Sequence, residues 1–193
     1  MTDPASPDNL RMDPAELAGL AARLDRPVVL VGMMGVGKST VGRRLAALLD
    51  LDFADADDEI EQAAQMSVSE IFEEYGEAYF RDGERRVIMR LLEEGPRVLA
   101  TGGGAFVQED TRDLILQRGI AVWLDCETDV LVERVTRRDT RPLLRQGDPK
   151  EIVTRLKAER ESHYAKAPVH VTSSPGPHGD AALRIAKALQ QWL

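Results

Sequence analysis

The sequence predicts an α/β protein of three αβα layers, in which helices cover both faces of a five-stranded parallel sheet. Two observations predict this class. Short apolar, β-branched runs recur along the chain, and stretches with helical periodicity separate them nearly throughout. Strands alternating with helices are typical of a parallel sheet whose crossover helices pack on both sides. The predicted strands cover residues 28–31, 51–54, 97–100, 121–124 and 169–171.

Helices are predicted from apolar periodicity and from residues that start or stop helices. Asp13 followed by Glu16 is typical of a helix start, and Ser67 with Glu70 forms a second capping box. Gly76 is typical of a helix end and separates two predicted helices. After a helix that begins at Asp13, the predicted helices cover residues 39–49, 58–64, 68–75, 78–94, 112–118, 129–138, 149–166 and 180–192.

Length, charge and cysteine content exclude several classes. The 193 residues suit one compact domain, and the net charge of −8 opposes binding to nucleic acid or anionic membranes. The single cysteine, Cys126, cannot form an internal disulfide, and no stretch approaches the roughly 18 apolar residues of a membrane helix. We therefore expect a cytoplasmic monomer with no nucleic-acid or membrane partner.

Composition divides the chain into an extension, residues 1–26, and a domain, residues 27–193. The extension begins as a polar, proline-rich tail and ends in the predicted helix at Asp13. Two stretches interrupt the strand-helix alternation: three helices between consecutive strands, and a polar, arginine-rich segment. Insertions at such places can cover a ligand, so we expect a substrate-binding region at about 57–95 and a mobile lid at about 138–149.

Residues 32–40, GMMGVGKST, match the phosphate-binding pattern G-x-x-x-x-G-K-[ST] between an apolar strand and an amphipathic helix. Glycines let backbone N–H groups surround a phosphate, and the helix N-terminus adds a favourable dipole. Lys38 supplies a positive charge toward the β and γ phosphates, and the Ser39 hydroxyl is suited to bind magnesium. The expected nucleotide contacts in this loop are Gly35, Val36, Gly37, Lys38, Ser39 and Thr40.

The loop alone leaves the second substrate open. A glycine-rich turn that binds nothing is the plain alternative, although the lysine, the hydroxyl and the flanking elements disfavour it. A GTPase, an ATPase and a small-molecule kinase fit the loop equally well. The guanine-reading motif N-K-x-D of GTPases does not occur in the chain.

Further motifs carry a resemblance to a known family. They are GMMGVGKSTVGR at residues 32–43, Asp55-Ala-Asp57, Ile71-Phe72 with Gly76-Glu77, Phe80-Arg81 with Glu84, Gly102-Gly103-Gly104, and Arg141-Pro142-Leu143-Leu144. Over residues 28–171 the chain resembles the shikimate kinases. The resemblance implies a P-loop fold like that of the nucleoside monophosphate kinases. It also implies ATP-dependent phosphorylation of the 3-hydroxyl of shikimate, with Mg²⁺, toward chorismate and the aromatic amino acids.

Asp55 and Asp57 follow the second predicted strand, and their carboxylates point the same way if that strand remains extended. From the residues alone, such an acidic cluster is more often a solvated helix start. The resemblance implies that Asp55 reaches the metal together with Ser39. It also implies that Asp57 binds the shikimate hydroxyls and orients or deprotonates the attacking one.

Arg81 lies three residues before Glu84 in a predicted helix, a spacing that places them on one face as an ion pair. A surface salt bridge is the simpler interpretation of this pair. The resemblance instead implies that Arg81 grips the substrate carboxylate, that Glu84 holds it in place, and that Arg160 is the second arginine on that carboxylate.

The resemblance assigns the remaining positions as well. It implies that backbone N–H groups of Gly102 and Gly103 face the substrate, and that Arg141 of the lid reaches the transferring phosphate. It implies that Arg134 stacks over adenine, whereas residues 173–179 offer no arginine to the adenine. A different small-molecule kinase on the same core, or a nucleotide-dependent switch that binds a protein, are the alternatives to a shikimate kinase.

Overall fold

The computed structural model describes residues 11–136, 148–173 and 178–193. These residues form a five-stranded, wholly parallel sheet with the strand order β2-β3-β1-β4-β5. The prediction of an α/β protein with five parallel strands is thereby confirmed. The strands are β1 (Val28–Val31), β2 (Asp52–Asp55), β3 (Arg97–Ala100), β4 (Ile120–Asp125) and β5 (Val169–Thr172).

Helices surround the sheet, and the predicted capping boxes are present at Asp13 with Glu16 and at Ser67 with Glu70. A short 3₁₀ helix at Ala105–Val107, which the periodicity did not predict, follows β3. The α-helices are α1 (Pro14–Arg23), α2 (Lys38–Leu49), α3 (Ala56–Ala64), α4 (Val68–Glu93), α5 (Glu109–Arg118), α6 (Thr128–Thr136), α7 (Pro149–Tyr164) and α8 (His178–Trp192).

Helix α4 is broken at Gly76, where φ is 81° and ψ is 173°. Only glycine adopts this backbone conformation without strain, because a Cβ atom would clash with the chain. The two helices predicted on either side of Gly76 therefore exist, although they run on without an intervening loop. Together α3 and α4 occupy the connection between β2 and β3, where the helical insertion was predicted.

The central strands carry the hydrophobic core. Every residue of β1 is fully buried, which is why its sequence is continuously apolar instead of alternating. At the β5 side, Trp123 is 6% exposed; its ring stacks on His170 with centroids 4.0 Å apart and lies 6.1 Å from the ring of Tyr164. Helix α1 packs on α2 and α8 and buries Leu20 and Leu24, so the N-terminal helix joins the core.

Within the described ranges, no helix combines the length and the apolar character that crossing a membrane requires.

The strand order brings the segments that follow β1, β2 and β3 together at one edge of the sheet. Because β3 lies between β2 and β1, the glycine run after β3 lies between the acidic pair after β2 and the phosphate loop after β1. Ligands of open α/β sheets bind outside the carboxyl ends of the strands, so this edge is the candidate site.

Candidate active site

The phosphate loop connects β1 to α2 through glycines in the left-handed region. Gly35 has a φ of 82° and Gly37 a φ of 100°, conformations that turn successive backbone N–H groups toward the loop interior. The Lys38 side chain is buried and its Nζ donates to the carbonyl oxygens of Gly32 at 2.9 Å and Met33 at 3.0 Å. This positive charge is therefore held across the loop, where phosphate oxygens would bind.

Two exposed hydroxyls beside this loop and a half-buried arginine of the neighbouring α6 also lie where a nucleotide could reach them. Ser39 and Thr40 are exposed in the first turn of α2, at the positive end of the helix dipole. Arg134 of α6 donates from Nη1 to the Val36 carbonyl oxygen at 3.1 Å. The guanidinium thus lies directly beside the phosphate loop.

The acidic pair differs from the sequence prediction in its local geometry. The chain does not remain extended beyond Asp55, so the reason given for two carboxylates facing the same way was wrong. Asp55 caps α3, its Oδ1 accepts from the Asp57 backbone N–H at 3.1 Å, and Asp57 lies in the first turn of that helix. The strand-to-helix turn, and not the pleat of a strand, places the two acids.

Negative charge accumulates at this turn. Partial burial first, and then the neighbouring Asp55 carboxylate, raise the pKa of Asp58 above the usual range of an aspartate. A cation bound near Asp55 would relieve this repulsion. Within the described part of the chain, no three His, Cys, Asp or Glu side chains form a metal cluster.

Arg81 and Glu84 form a buried ion pair instead of a surface salt bridge. Arg81 Nη1 lies 2.7 Å from Glu84 Oε2, and the side chain of Glu84 is fully buried. Arg81 is 20% exposed and is also 3.2 Å from the carboxylate of Glu77, which is largely exposed. The ion pair that the sequence spacing predicted is therefore present, but in an interior setting.

The buried carboxylate of Glu84 is poorly satisfied. Burial raises its pKa above the usual glutamate range, Arg81 opposes that shift, and the nearby Asp57 charge adds to it. Among the described residues, Glu84 Oε1 has no hydrogen-bond partner. An unsatisfied buried acceptor beside Asp57 is a position at which a ligand hydroxyl would be favourable.

The run Gly102-Gly103-Gly104 is where the predicted substrate residues meet. A Cβ atom on Gly102 would lie 2.8 Å from Glu84 Oε1 and 2.9 Å from Asp57 Oδ1. One on Gly104 would lie 2.7 Å from Arg81 Nη1 and closer still to Nη2. Side chains at either position would displace these groups, so glycine is required for their approach. The acid after β2 and the arginine of α4 thus converge on the loop after β3.

Gly103 connects the cluster of Asp57, Arg81 and Glu84 to the phosphate loop. A Cβ atom there would lie 3.1 Å from the Met34 backbone nitrogen, 3.6 Å from the Gly32 carbonyl oxygen and 3.7 Å from Arg160 Nη1. Arg160 Nη1 also donates to the Gly103 carbonyl oxygen at 3.4 Å. Phosphate loop, glycine run and Arg160 therefore adjoin one another at a single point.

Helix α7 is fixed to this edge by further side chains. Lys157 Nζ lies 3.0 Å from the Asp125 carboxylate and donates to the Cys126 carbonyl oxygen at 2.6 Å, joining α7 to the end of β4. The Tyr164 hydroxyl donates to the Gly103 carbonyl oxygen at 2.5 Å. The position of Arg160 is thus determined by contacts on both sides of it along the helix.

The chain's sequence matches the family model described as shikimate kinase over residues 34–190. A shikimate kinase from Novosphingobium aromaticivorans is 58% identical over 190 residues, which cover 96% of this chain and 98% of that protein. The chain belongs to the shikimate kinase family. The resemblance stated from separated motifs is therefore confirmed.

Solved structures agree with the family assignment. The shikimate kinase from Acinetobacter baumannii in complex with shikimate has a TM-score of 0.80 and 38% identity, covering 83% of this chain and 90% of that one. A gluconokinase from Sinorhizobium meliloti has a TM-score of 0.57 at 19% identity, covering 86% and 91%. The second likeness shows the fold alone. The fold predicted from the family, a P-loop fold like that of the nucleoside monophosphate kinases, is confirmed.

Some predicted site residues are not placed, and some contacts were not predicted. Arg141 and the rest of its motif, and much of the 173–179 loop, lie outside the described residues. Gly104 and Tyr164 were missing from the predicted site. Tyr164 is one helical turn after Arg160, a spacing that could have indicated a shared target. Gly104 has no sequence signal beyond the glycine run itself.

Proposed function

We propose that this chain transfers the γ-phosphoryl group of ATP to the 3-hydroxyl of shikimate, giving shikimate 3-phosphate and ADP. The family supports ATP-dependent phosphorylation of shikimate, a step in the pathway to chorismate and the aromatic amino acids. One observation carries the assignment of residues. Asp57, Arg81 and Arg160 meet at the glycine run directly beside the phosphate loop.

The nucleotide side uses the phosphate loop. Backbone N–H groups of Gly35, Val36 and Gly37 surround the β-phosphate, and the α2 N-terminus adds its dipole. Lys38, already held over the loop, exchanges its backbone acceptors for β- and γ-phosphate oxygens. Ser39 and Thr40 follow on the exposed first turn, and Arg134 covers the adenine side from α6.

A magnesium ion fits the donors at this edge. Mg²⁺ prefers hard oxygen ligands and is usually held by one or two protein groups together with phosphates and water. The exposed Ser39 hydroxyl, the Asp55 carboxylate acting directly or through water, and the nucleotide phosphates make such a set. When bound, the ion would neutralise charge on the transferring group.

The acceptor side suits a hydroxylated carboxylic acid. The planar guanidinium of Arg81, held by buried Glu84, can bind a carboxylate through two parallel hydrogen bonds, and Arg160 approaches from α7. Backbone N–H groups of Gly102 and Gly103 contribute further donors. Two cations facing one anion fix the ring of the acceptor, so its hydroxyls lie toward Asp57 and the unsatisfied Glu84 Oε1.

Asp57 orients the attacking hydroxyl. Its Oδ1 lies at the glycine run, between the carboxylate-binding arginines and the phosphate loop. A carboxylate there accepts a hydrogen bond from the 3-hydroxyl, directs the oxygen at the γ-phosphorus and takes the proton as the new P–O bond forms. The bond to the β-phosphate oxygen breaks, and ADP leaves.

Two segments complete the proposal. Residues of about 57–95 form the substrate-binding region, and residues of about 138–149 form a lid that brings Arg141 onto the transferring phosphate. Closure of the lid would exclude water that could otherwise accept the phosphoryl group. Residues 1–26 are an extension to the 27–193 catalytic domain.

We also propose that the chain acts as a cytoplasmic monomer without nucleic-acid or membrane partners. Its net charge of −8 opposes association with polyanions. Sedimentation of the purified protein at several concentrations tests the monomer directly.

The deciding experiment is an acceptor panel in a coupled ADP-release assay. We expect turnover of roughly 1 to 100 per second with shikimate, and turnover near background with gluconate and nucleoside monophosphates. Turnover with gluconate but not shikimate would assign the chain to a different kinase activity. ATP binding with no acceptor phosphorylated would favour a nucleotide-dependent switch.

A further inference from the structure

Helix α7 directs two hydrogen-bond donors at one backbone carbonyl. The Gly103 oxygen accepts from the Tyr164 hydroxyl at 2.5 Å and from Arg160 Nη1 at 3.4 Å. Gly103 belongs to the glycine run that joins the acceptor side to the phosphate loop. The two donors are one helical turn apart, so they reach the same atom from the same face of the helix.

The two bonds are very unequal. Hydroxyl donors bond at about 2.5–3.0 Å and N–H donors at about 2.7–3.2 Å, so the Tyr164 bond is short and the Arg160 bond is at the long limit. Tyr164 is 1% exposed, and burial raises the pKa of its phenol, which therefore stays protonated and keeps donating. The phenol is the main donor to the carbonyl, whereas the guanidinium bonds weakly to that oxygen and also contacts the Tyr164 hydroxyl itself.

We propose that Tyr164 is a positioning residue whose hydroxyl occupies the Gly103 carbonyl and thereby leaves the Arg160 guanidinium available to the acceptor's carboxylate. This inference rests on the proposed function, because it assigns Arg160 to the substrate. The phenol also holds the Gly103 peptide against the phosphate loop. Tyr164 is 1% exposed, so it would act through Gly103 and Arg160 and not by direct contact with either ligand.

Removing the Tyr164 hydroxyl would leave Arg160 as the main donor to the Gly103 carbonyl oxygen. A partly buried carbonyl without its main donor attracts the nearest cation, and a charged N–H donor forms a stronger bond than a neutral one. Arg160 would move onto the Gly103 oxygen, and an arriving carboxylate would have to break that bond. Acceptor binding weakens as a result, whereas the phosphate loop keeps its own contacts.

Isothermal titration of shikimate without nucleotide tests this in Tyr164→Phe. We expect the Kd for shikimate to rise by roughly 3- to 10-fold, the range of one net hydrogen bond. In steady-state kinetics the KM for shikimate should rise similarly, with kcat and the KM for ATP within about two-fold of wild type. Trp192→Phe is the control, because Trp192 is 46% exposed on α8, outside the residues proposed to bind either ligand.

Comparing the KM for shikimate with kcat and the KM for ATP distinguishes a positioning role of Tyr164 from a general loss of structure. A loosened fold would raise the KM for ATP and lower the Tm together with shikimate binding. If the wild type binds shikimate and Tyr164→Phe binds it equally well, this inference is wrong and the proposed function stands. If the wild type does not bind shikimate, both are wrong.

A crystal structure of the wild-type protein with shikimate provides a test that needs no variant. We expect Arg160 to leave the Gly103 oxygen for the carboxylate while the Tyr164 hydroxyl remains on that oxygen. Arg160 retained on Gly103, or Tyr164 displaced from it, would overturn the inference. This measurement decides the matter even if Tyr164→Phe does not fold.

Discussion

The phosphate loop and the proposed acceptor site adjoin each other at one edge of the sheet, yet they are constructed differently. The phosphate loop is one contiguous segment, residues 32–40, and its lysine bonds to the loop's own carbonyls. The acceptor site takes Asp57 from α3, Arg81 from α4 and Arg160 from α7, and these meet only at the glycine run. One is a local structure, and the other depends on tertiary packing.

The difference predicts how each site responds to change. A local loop tolerates alteration elsewhere, because its geometry follows from its own glycines and from the strand and helix beside it. A site assembled from three helices is sensitive to any contact that sets their relative positions. Variants should therefore separate into those that affect ATP and those that affect shikimate.

The largest effect is expected from Asp57→Asn. An amide retains the size of the side chain but cannot accept the hydroxyl proton, so kcat should fall roughly 1,000-fold. The KM for ATP should change little, because Asp57 lies on the acceptor side. Coupled ADP release measures both constants, and near-normal turnover would reject the proposed role.

Lys38→Met tests the phosphate loop. Removing one charge that stabilises the transferring phosphoryl group should lower kcat/KM for ATP roughly 100- to 1,000-fold. Shikimate binding in the absence of nucleotide should remain, because Lys38 Nζ bonds to the Gly32 and Met33 carbonyl oxygens of the phosphate loop. Titration calorimetry with each ligand checks this, and equal loss of both ligands would contradict two separable sites.

Gly104→Ala should disturb the acceptor site alone. The added Cβ would lie 2.7 Å from Arg81 Nη1, so the guanidinium must shift away from the carboxylate position. We expect the KM for shikimate to rise roughly 10- to 100-fold with the KM for ATP unchanged. Gly83→Ala on α4, where a Cβ meets nothing within 4 Å, is the control and should leave both constants unaltered.

The smallest effect is expected from the partners of Arg81. Glu84→Gln should raise the KM for shikimate about 10-fold, because a buried charged hydrogen bond is lost. Glu77→Gln removes a largely exposed partner of the same arginine and should change that KM less than about two-fold. Equal effects of the two variants would show that burial of the Arg81–Glu84 pair does not contribute to shikimate binding.

Glu84→Gln should also change how the stability of the folded protein depends on pH. Burial raises the pKa of Glu84, so the folded protein holds this proton more tightly than the unfolded chain does. Between the usual glutamate pKa and the raised one, wild type should therefore gain stability as pH falls, relative to Glu84→Gln. Thermal unfolding of both proteins across that window measures the difference, and parallel curves would contradict it.

The sequence predicted most of the fold because the signals are local. Continuous apolar runs mark the buried strands, and capping residues such as Ser67 mark helix starts. Gly76 marked the break within α4 correctly. The 3₁₀ helix at Ala105–Val107 was not predicted, because three residues are too few to show a period.

The phosphate loop was predictable from its general motif, whereas the proposed acceptor residues were predictable only through the family motifs. Spacing alone gave Arg81 and Glu84 as a surface salt bridge, since burial depends on packing that the sequence does not display. The expectation that the Asp55 and Asp57 carboxylates point the same way assumed an extended strand, which in fact ends at Asp55. The role of Tyr164 was not predicted because its hydrogen-bond acceptor is a backbone carbonyl 61 positions away. Since every residue has a backbone carbonyl, no residue type marks the acceptor in the sequence.

Trp123 gives this enzyme an intrinsic optical reporter. Its indole is buried against His170 and Tyr164, whereas the second tryptophan, Trp192, is 46% exposed on α8. In Trp192→Phe, fluorescence emission would come from Trp123 alone, adjacent to the tyrosine that holds Gly103. Stopped-flow measurements on that variant could then follow substrate arrival in real time without any attached dye.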